Sequence, residues 1–342
     1  MAYADVLKDI ERCVALKKPN RLPVFAMTEE FDVRMAGMVY NEFNRDAKLM
    51  AKCTIDSIKK YDYDWAWLQI DDCIEFECLG VGVKGQGNIL PATCDYLPGT
   101  FATLRGLKKP NPKKDGRMPV LLEAIKRVKD EFGDTVCVTG RVAAPFSSAA
   151  LLYGLDETMM MMYDDPELLR ETIKFFIDFQ IEWGIEQAKA GADALWVGDC
   201  NASGHLISAD QYREFALDGV KQCCKAYDEM HCWSFYHASE HSVPHIQAQI
   251  EGGISALSVG PGVDISVAKQ AVRDKICLIG NIDPILYLFE KDADSVYEES
   301  KRIARIGCEG GGYIFNSGEM IPRDTPEPNI LAMMRGAREI GC

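Results

Sequence analysis

The 342-residue sequence is short of positive charge. Lys and Arg number 38 against 52 Asp and Glu, a net charge of −14 at pH 7. Nonspecific nucleic-acid binding needs cations to replace phosphate counterions, so this balance argues against it. It argues equally against docking on an anionic membrane. No apolar run approaches the roughly 18–20 residues of a membrane span. No Cys-x-x-Cys pair occurs among the 13 cysteines, and Cys223 and Cys224 are adjacent, poor geometry for a shared bridge. The stretch from Met1 to Leu16 is charged throughout and does not read as a secretory signal. Reduced thiols and a cytoplasmic location are therefore expected. Internal repeats and linkers are also lacking.

What the chain has is rhythm. Short apolar runs alternate with longer amphipathic stretches. Eight runs read as strands: Leu22–Met27, Asp64–Ile70, Val136–Arg141, Ala194–Gly198, Cys232–His237, Ser255–Gly260, Ile276–Asn281 and Gly312–Asn316. Helices are expected over Arg45–Lys60, Pro166–Ala190, Ser208–Tyr227, Asp292–Ile306 and Thr325–Ile340. Asp165-Pro166 and Thr325-Pro326 each read as a cap followed by proline in the first turn. This alternation predicts an α/β protein, a single (β/α)8 TIM barrel domain over residues 1–342. Cys73–Gly116, rich in Gly and Pro, is predicted to be an insertion after the second strand, a small hairpin plus a surface loop. The Lys108–Lys114 cluster within it reads as solvated surface.

A barrel places its reactive groups on the loops after the strands. Those positions carry Glu29, Asp71 with Asp72, Arg141, Asp199, His237 with Glu240, Asn316 and Glu319. Carboxylates converging with an imidazole can bind a divalent metal, zinc foremost, or move protons. Each also has a bland reading. His237 suits a hydrogen-bonded structural residue, Asp71 and Asp199 suit turn caps, and Glu319 suits a solvent-facing loop acid. His237, His241 and His245 recur every four residues, as on a helical metal comb, but His237 falls on a predicted strand. Asp71, Asp199 and Glu240 are the candidate acid–base groups. Glu29, Arg141, Tyr236 and Asn316 are the candidate substrate contacts.

Several stretches carry a family resemblance across nearly the whole chain. They are Ala144-Pro145-Phe146 with Leu152-Tyr153-Gly154, Ala190–Asp193, Asp199–Ser208, Gly280–Pro284 and Phe315–Asn329. In these the chain resembles the uroporphyrinogen decarboxylase superfamily, which includes cobalamin-dependent methyltransferases. The resemblance implies the same barrel. True porphyrinogen decarboxylases carry an Arg-rich element after the first strand, where this chain has Met27-Thr28-Glu29-Glu30. Asp71 does match the decarboxylase aspartate in position. The branch that methylates coenzyme M binds zinc through His-x-Cys on the fifth strand and a later Cys. Here these places read His237-Ala238-Ser239 and Ser317-Gly318-Glu319.

The resemblance thus implies His237 and Glu319 as metal ligands, with the third open among Glu240, Asp199 and Asp71. Replacing thiolate by carboxylate makes a bound metal a better Lewis acid toward an ether oxygen. The expected function is a substrate:corrinoid protein methyltransferase acting on a methyl ether. Zinc would be its metal, and its small-molecule methyl donor remains open. No corrinoid-binding module of the Asp-x-His-x-x-Gly type occurs, so a separate corrinoid protein is the expected partner. A homodimer is also in keeping with the resemblance. The alternatives are a decarboxylase of a tetrapyrrole or other small acid, and a non-catalytic barrel that binds a corrinoid or tetrapyrrole.

Overall fold

A computed structural model describes residues 3–69 and 71–341. Its strands are β1 (Trp65–Trp67), β2 (Gly82–Lys84), β3 (Ala92–Cys94), β4 (Cys137–Ala143), β5 (Ala194–Gly198), β6 (Trp233–Glu240), β7 (Ala256–Val259), β8 (Cys277–Ile279) and β9 (Tyr313–Ile314). Seven of them form one curled sheet in the order β1-β4-β5-β6-β7-β8-β9, and every pairing is parallel. Between successive sheet strands the chain returns through helices, as parallel pairing requires. Both faces of the sheet are covered, so its strands are almost wholly buried.

The expected first strand, Leu22–Met27, forms no ladder. Val24 makes an isolated parallel bridge to Phe315. Phe25 N donates to Phe315 O at 2.8 Å, Phe315 N to Pro23 O at 3.0 Å, and Asp64 N to Val24 O at 3.0 Å. The segment therefore lies between the two edges of the sheet, bonded to each by a few contacts. The expected Asp64–Ile70 strand is shorter than predicted, and its Ile70 lies outside the described residues.

The insertion holds the antiparallel β2–β3 hairpin and a short helix, Phe101–Gly106. Arg117 fastens its far end. Its guanidinium pairs with buried Asp71 and with Glu77. Lys109 and Lys113 pair with Glu182 and Glu186. The last two lie on the helix Pro166–Ala190.

That helix starts as predicted, with Asp165 accepting from Leu168 N at 3.1 Å and Pro166 in the first turn. The Thr325 prediction fails. The last helix runs Glu327–Arg338 without a side-chain cap, and the buried Thr325 hydroxyl makes no hydrogen bond to it. Among the described residues eleven cysteines are free thiols, as expected, whereas Cys308 is disulfide-bonded, against the expectation of reduced thiols throughout. No helix among the described residues is long and apolar enough to cross a membrane.

Inside the curl the strands present aromatic rings. Trp65 and Trp67 alternate on β1 and therefore share a face. Their rings are parallel, 5.9 Å apart. Phe25 stacks on Trp65 at 4.4 Å, and Trp196 meets both tryptophans edge-on. These rings form an apolar floor set back from the strand ends, with Trp196 two residues behind Gly198 and Trp67 level with Thr139.

Candidate active site

A cavity of about 230 Å³ opens above that floor. Trp67 and Trp196 wall it, Asp72 and Arg141 lie on its polar side, and Cys200, His237 and Glu319 meet in it. The register explains the depth. Ala143, Gly198, His237 and Ser258 lie side by side on β4 to β7, and Arg141 and Trp196 sit two residues further back.

His237 faces inward on β6 and is 4% exposed. Its Nδ1 lies 3.0 Å from Ser258 Oγ on β7, and its Nε2 lies 3.2 Å from Glu319 Oε1. Burial opposes an imidazolium here, yet Glu319 and then Cys200 beside the ring raise its pKa to about 10. Burial likewise works against the Glu319 charge, and His237 overcomes it, lowering the carboxyl to about 2.

Glu319 is delivered by a close approach. Gly318 N donates to Ile282 O at 2.8 Å, and a Cβ on Gly318 would sit 2.7 Å from Pro261 N. Only glycine lets this turn lie so near the Gly260-Pro261 backbone.

Arg141 is held from two sides. Glu75, fully buried, and Asp72, with a side chain 58% exposed, both pair with its guanidinium. Gln187 fixes its backbone, accepting from Arg141 N at 2.9 Å and donating to Arg141 O at 2.8 Å. A Cβ at position 140 would fall 2.2 Å from that Gln187 oxygen, which is why Gly140 precedes it.

The structure does not bring the other predicted residues to the pair. Asp71 is fully buried against Arg117, Asn44 and Cys73 N. Glu240 accepts from Gly204 N, His241 N, Ser242 N and Gln249 Nε2. Four donors fill that carboxylate, and the bulge in β6 between His237 and Glu240 turns it away from the cavity. Asp199 accepts from Ser147 N, Ser147 Oγ and Tyr236 OH. Burial raises its pKa to about 6 despite those bonds.

Tyr236 is thereby turned to the Asp199 side of β6. Glu29 bonds the Tyr40 hydroxyl and lines a separate small cavity. Asn316 accepts from Ser317 N and does not line the reaction cavity. His241 stacks on His205 at 3.8 Å, so the histidine comb does not form.

Cys200 was not predicted as a ligand. It opens a single 3-10 turn after β5. Nothing in its local sequence marks it, and only the β5–β6 register places it beside His237. Cys200, His237 and Glu319 each offer one potential ligand atom, and those atoms lie within 4.8 Å of one another. Tetrahedral zinc with ligand bonds of roughly 2.0–2.3 Å separates its ligands by about 3.4 Å. The His237–Glu319 separation of 3.2 Å suits that edge. The residues present therefore fit a zinc ion.

The uroporphyrinogen decarboxylase (URO-D) family model matches residues 7–340. The chain belongs to the uroporphyrinogen decarboxylase family. Curated relatives include methyltransferases and decarboxylases. The methylcobamide:CoM methyltransferase MtbA of Methanosarcina acetivorans is 25% identical over 327 residues, covering 94% of each chain. A uroporphyrinogen decarboxylase of Chlorobaculum tepidum is 29% identical over 247 residues, covering 67% of each. A solved methyltransferase from Methanosarcina mazei superposes with a TM-score of 0.87 over 98% of each chain, at 21% identity. That likeness fixes the fold of this family member and not its reaction.

Proposed function

We propose that this family member is a methyltransferase that moves a methyl group from a small methyl ether to the Co(I) of a corrinoid carried by a separate protein. The eight-stave (β/α)8 barrel is its scaffold, with segment 22–27 as the thin eighth stave between the sheet edges. The observation that carries the reading is the meeting of His237 Nε2 and Glu319 Oε1, 3.2 Å apart, in the floor-walled cavity. MtbA is a methyltransferase that uses a methylcobamide, by its name, and it aligns along almost the whole chain.

His237 and Glu319 would hold zinc. When bound, zinc supplies Lewis acidity to the ether oxygen, easing departure of the alkoxide or phenolate. The chain's own residues do the rest. Trp67 and Trp196, packed edge to face, give an apolar corner that suits an aromatic donor. Arg141 and Asp72 give the same cavity a polar side for a substituent. Asp199 holds Ser147, one of the lining residues, by two hydrogen bonds and so fixes that part of the lining. The methyl carbon must point to the open mouth, where the cobalt of the partner would approach.

The decarboxylase reading has less support. Pockets for drug-sized ligands run to roughly 300–1,000 Å³. A cavity of about 230 Å³ is small for a tetrapyrrole and ample for one ring. Asp71, the position shared with decarboxylases, is enclosed by Arg117 and Asn44.

The test is single-turnover methylation of cob(I)alamin by a panel of methyl ethers, amines and thiols, followed by loss of the Co(I) spectrum. Wild-type protein is expected to methylate cobalt from at least one ether. His237→Ala is expected to slow that step by at least tenfold with the fold intact by circular dichroism. Failure with every donor would sink the reading.

A further inference from the structure

We propose that Cys200 supplies the third zinc ligand, replacing from the turn after the neighbouring strand the thiolate that the chain lacks at Ser239. This deepens the reading of that same site and rests on its zinc. The three potential ligand atoms lie within 4.8 Å of one another, and among the described residues no other group of His, Cys, Asp and Glu does so. The three come from separate places: the turn after β5, β6 itself, and the turn after β9.

The backbone seats Cys200 against the histidine. Asp199 N donates to His237 O at 2.7 Å, extending the β5–β6 pairing by one residue. The Asp199 carboxylate then ties the turn to Ser147 and Tyr236. Asn201 N donates to Ser147 Oγ at 3.2 Å on the far side of Cys200. Asp199 is a positioning residue in this arrangement, not a ligand.

The bulge in β6 accounts for the vacated position. Ser239 stands at φ 52°, and its hydroxyl helps to hold the Glu319 carboxyl in its charged form. Outer partners of this kind orient a ligand and tune its basicity. Position 239 therefore directs Glu319, while position 200 brings the sulfur.

The resulting donor set is one imidazole, one thiolate and one carboxylate. Its charge of −2 matches that of an imidazole with two thiolates, but one soft donor has become hard. A metal held so would be more electron-poor, and all three donors line the cavity that a substrate would enter. The other sequence candidates for this ligand, Asp71, Asp199 and Glu240, spend their oxygens elsewhere.

The experiment uses the full chain stripped of metal and titrated with Co(II) alone. A single thiolate ligand gives a sulfur-to-cobalt charge-transfer band in the near ultraviolet. Wild-type protein is expected to show it at one cobalt per chain. Cys200→Ser should lose the band, and its zinc affinity in chelator competition should fall by more than the roughly 10–100-fold typical of losing an outer partner. Ser239→Ala should keep the band, as should Glu319→Gln with weakened affinity. A wild-type protein without the band, or a Cys200→Ser protein that retains it, overturns the assignment. The readout needs no substrate, so a failed methyl-transfer assay leaves it standing or falling by itself.

Discussion

His237 commits its two ring nitrogens to different partners. Nδ1 meets Ser258 Oγ and Nε2 meets Glu319 and the mouth of the cavity. Were Nε2 to hold zinc, the ring proton would be on Nδ1, within hydrogen-bond reach of Ser258 Oγ, which would fix the tautomer and the ring plane. Ser258→Ala is therefore predicted to lower zinc affinity by about 10–100-fold with little change in unfolding midpoint. Chelator competition measures the first and denaturant unfolding the second. An unchanged affinity would show that the ring needs no such partner.

A second residue makes a pH prediction away from the site. Asp32 lines the small cavity beside Glu29. Burial pushes its pKa up to about 7 against hydrogen bonds from Thr28, Ser57 and Tyr63. Between about pH 4 and that value the folded state keeps a proton that the unfolded chain has released. The stability this group contributes is complete below about pH 4 and is lost as pH rises through its folded pKa. Asp32→Asn should thus gain melting temperature relative to wild type as pH goes from about 5 to about 8. A difference that stays constant over that range would contradict the assignment.

At the scale of elements, the insertion and the sheet are joined by Arg117. It faces Asp71 at the end of the β1 segment and Glu77 within the insertion. Removing one partner from a buried pair leaves an uncompensated charge, worth roughly 3–5 kcal/mol. Arg117→Met is predicted to destabilise by about that amount in urea unfolding, because Asp71 is fully buried. Lys109→Ala breaks only an exposed pair and should cost under about 1 kcal/mol. Equal losses in the two variants would mean that the insertion is not anchored through Asp71.

The same elements separate what the sequence could disclose from what it could not. Ala194–Gly198 is apolar and bounded by breakers, and the strand has the predicted limits. Pro166–Ala190 begins and ends on local signals, Asp165-Pro166 and Gly191, and both act as read. Leu22–Met27 is as apolar as any strand, yet its pairing depends on two distant edges, and it yields single bridges. That His237 and Glu319 lie together was legible through their place in the family pattern. Cys200 was not, because its nearness to His237 follows from strand register and a turn anchored by Asp199. Asp71 and Glu240 stood at strand ends, but position alone does not tell which way a carboxylate turns. Arg117 and the bulge at Ser239 decide that.

For the molecule as a whole, the family includes both methyltransferases and decarboxylases, so the fold cannot choose between them. The choice rests on the cavity. Its volume of about 230 Å³, its tryptophan walls and its Cys–His–Glu corner favour a small ring and a metal over a polycarboxylate macrocycle. Arg141 lies within it, but Glu75 and Asp72 already neutralise its guanidinium. The most direct measurement is a head-to-head assay of one metal-loaded preparation. One arm offers a carbon-13-labelled methoxyarene with cob(I)alamin and follows the label by NMR, and the other offers uroporphyrinogen and follows released carbon dioxide. The account predicts the labelled methyl on cobalt together with the demethylated phenol, and no carbon dioxide. Carbon dioxide from the porphyrinogen, with no label reaching cobalt, would contradict it.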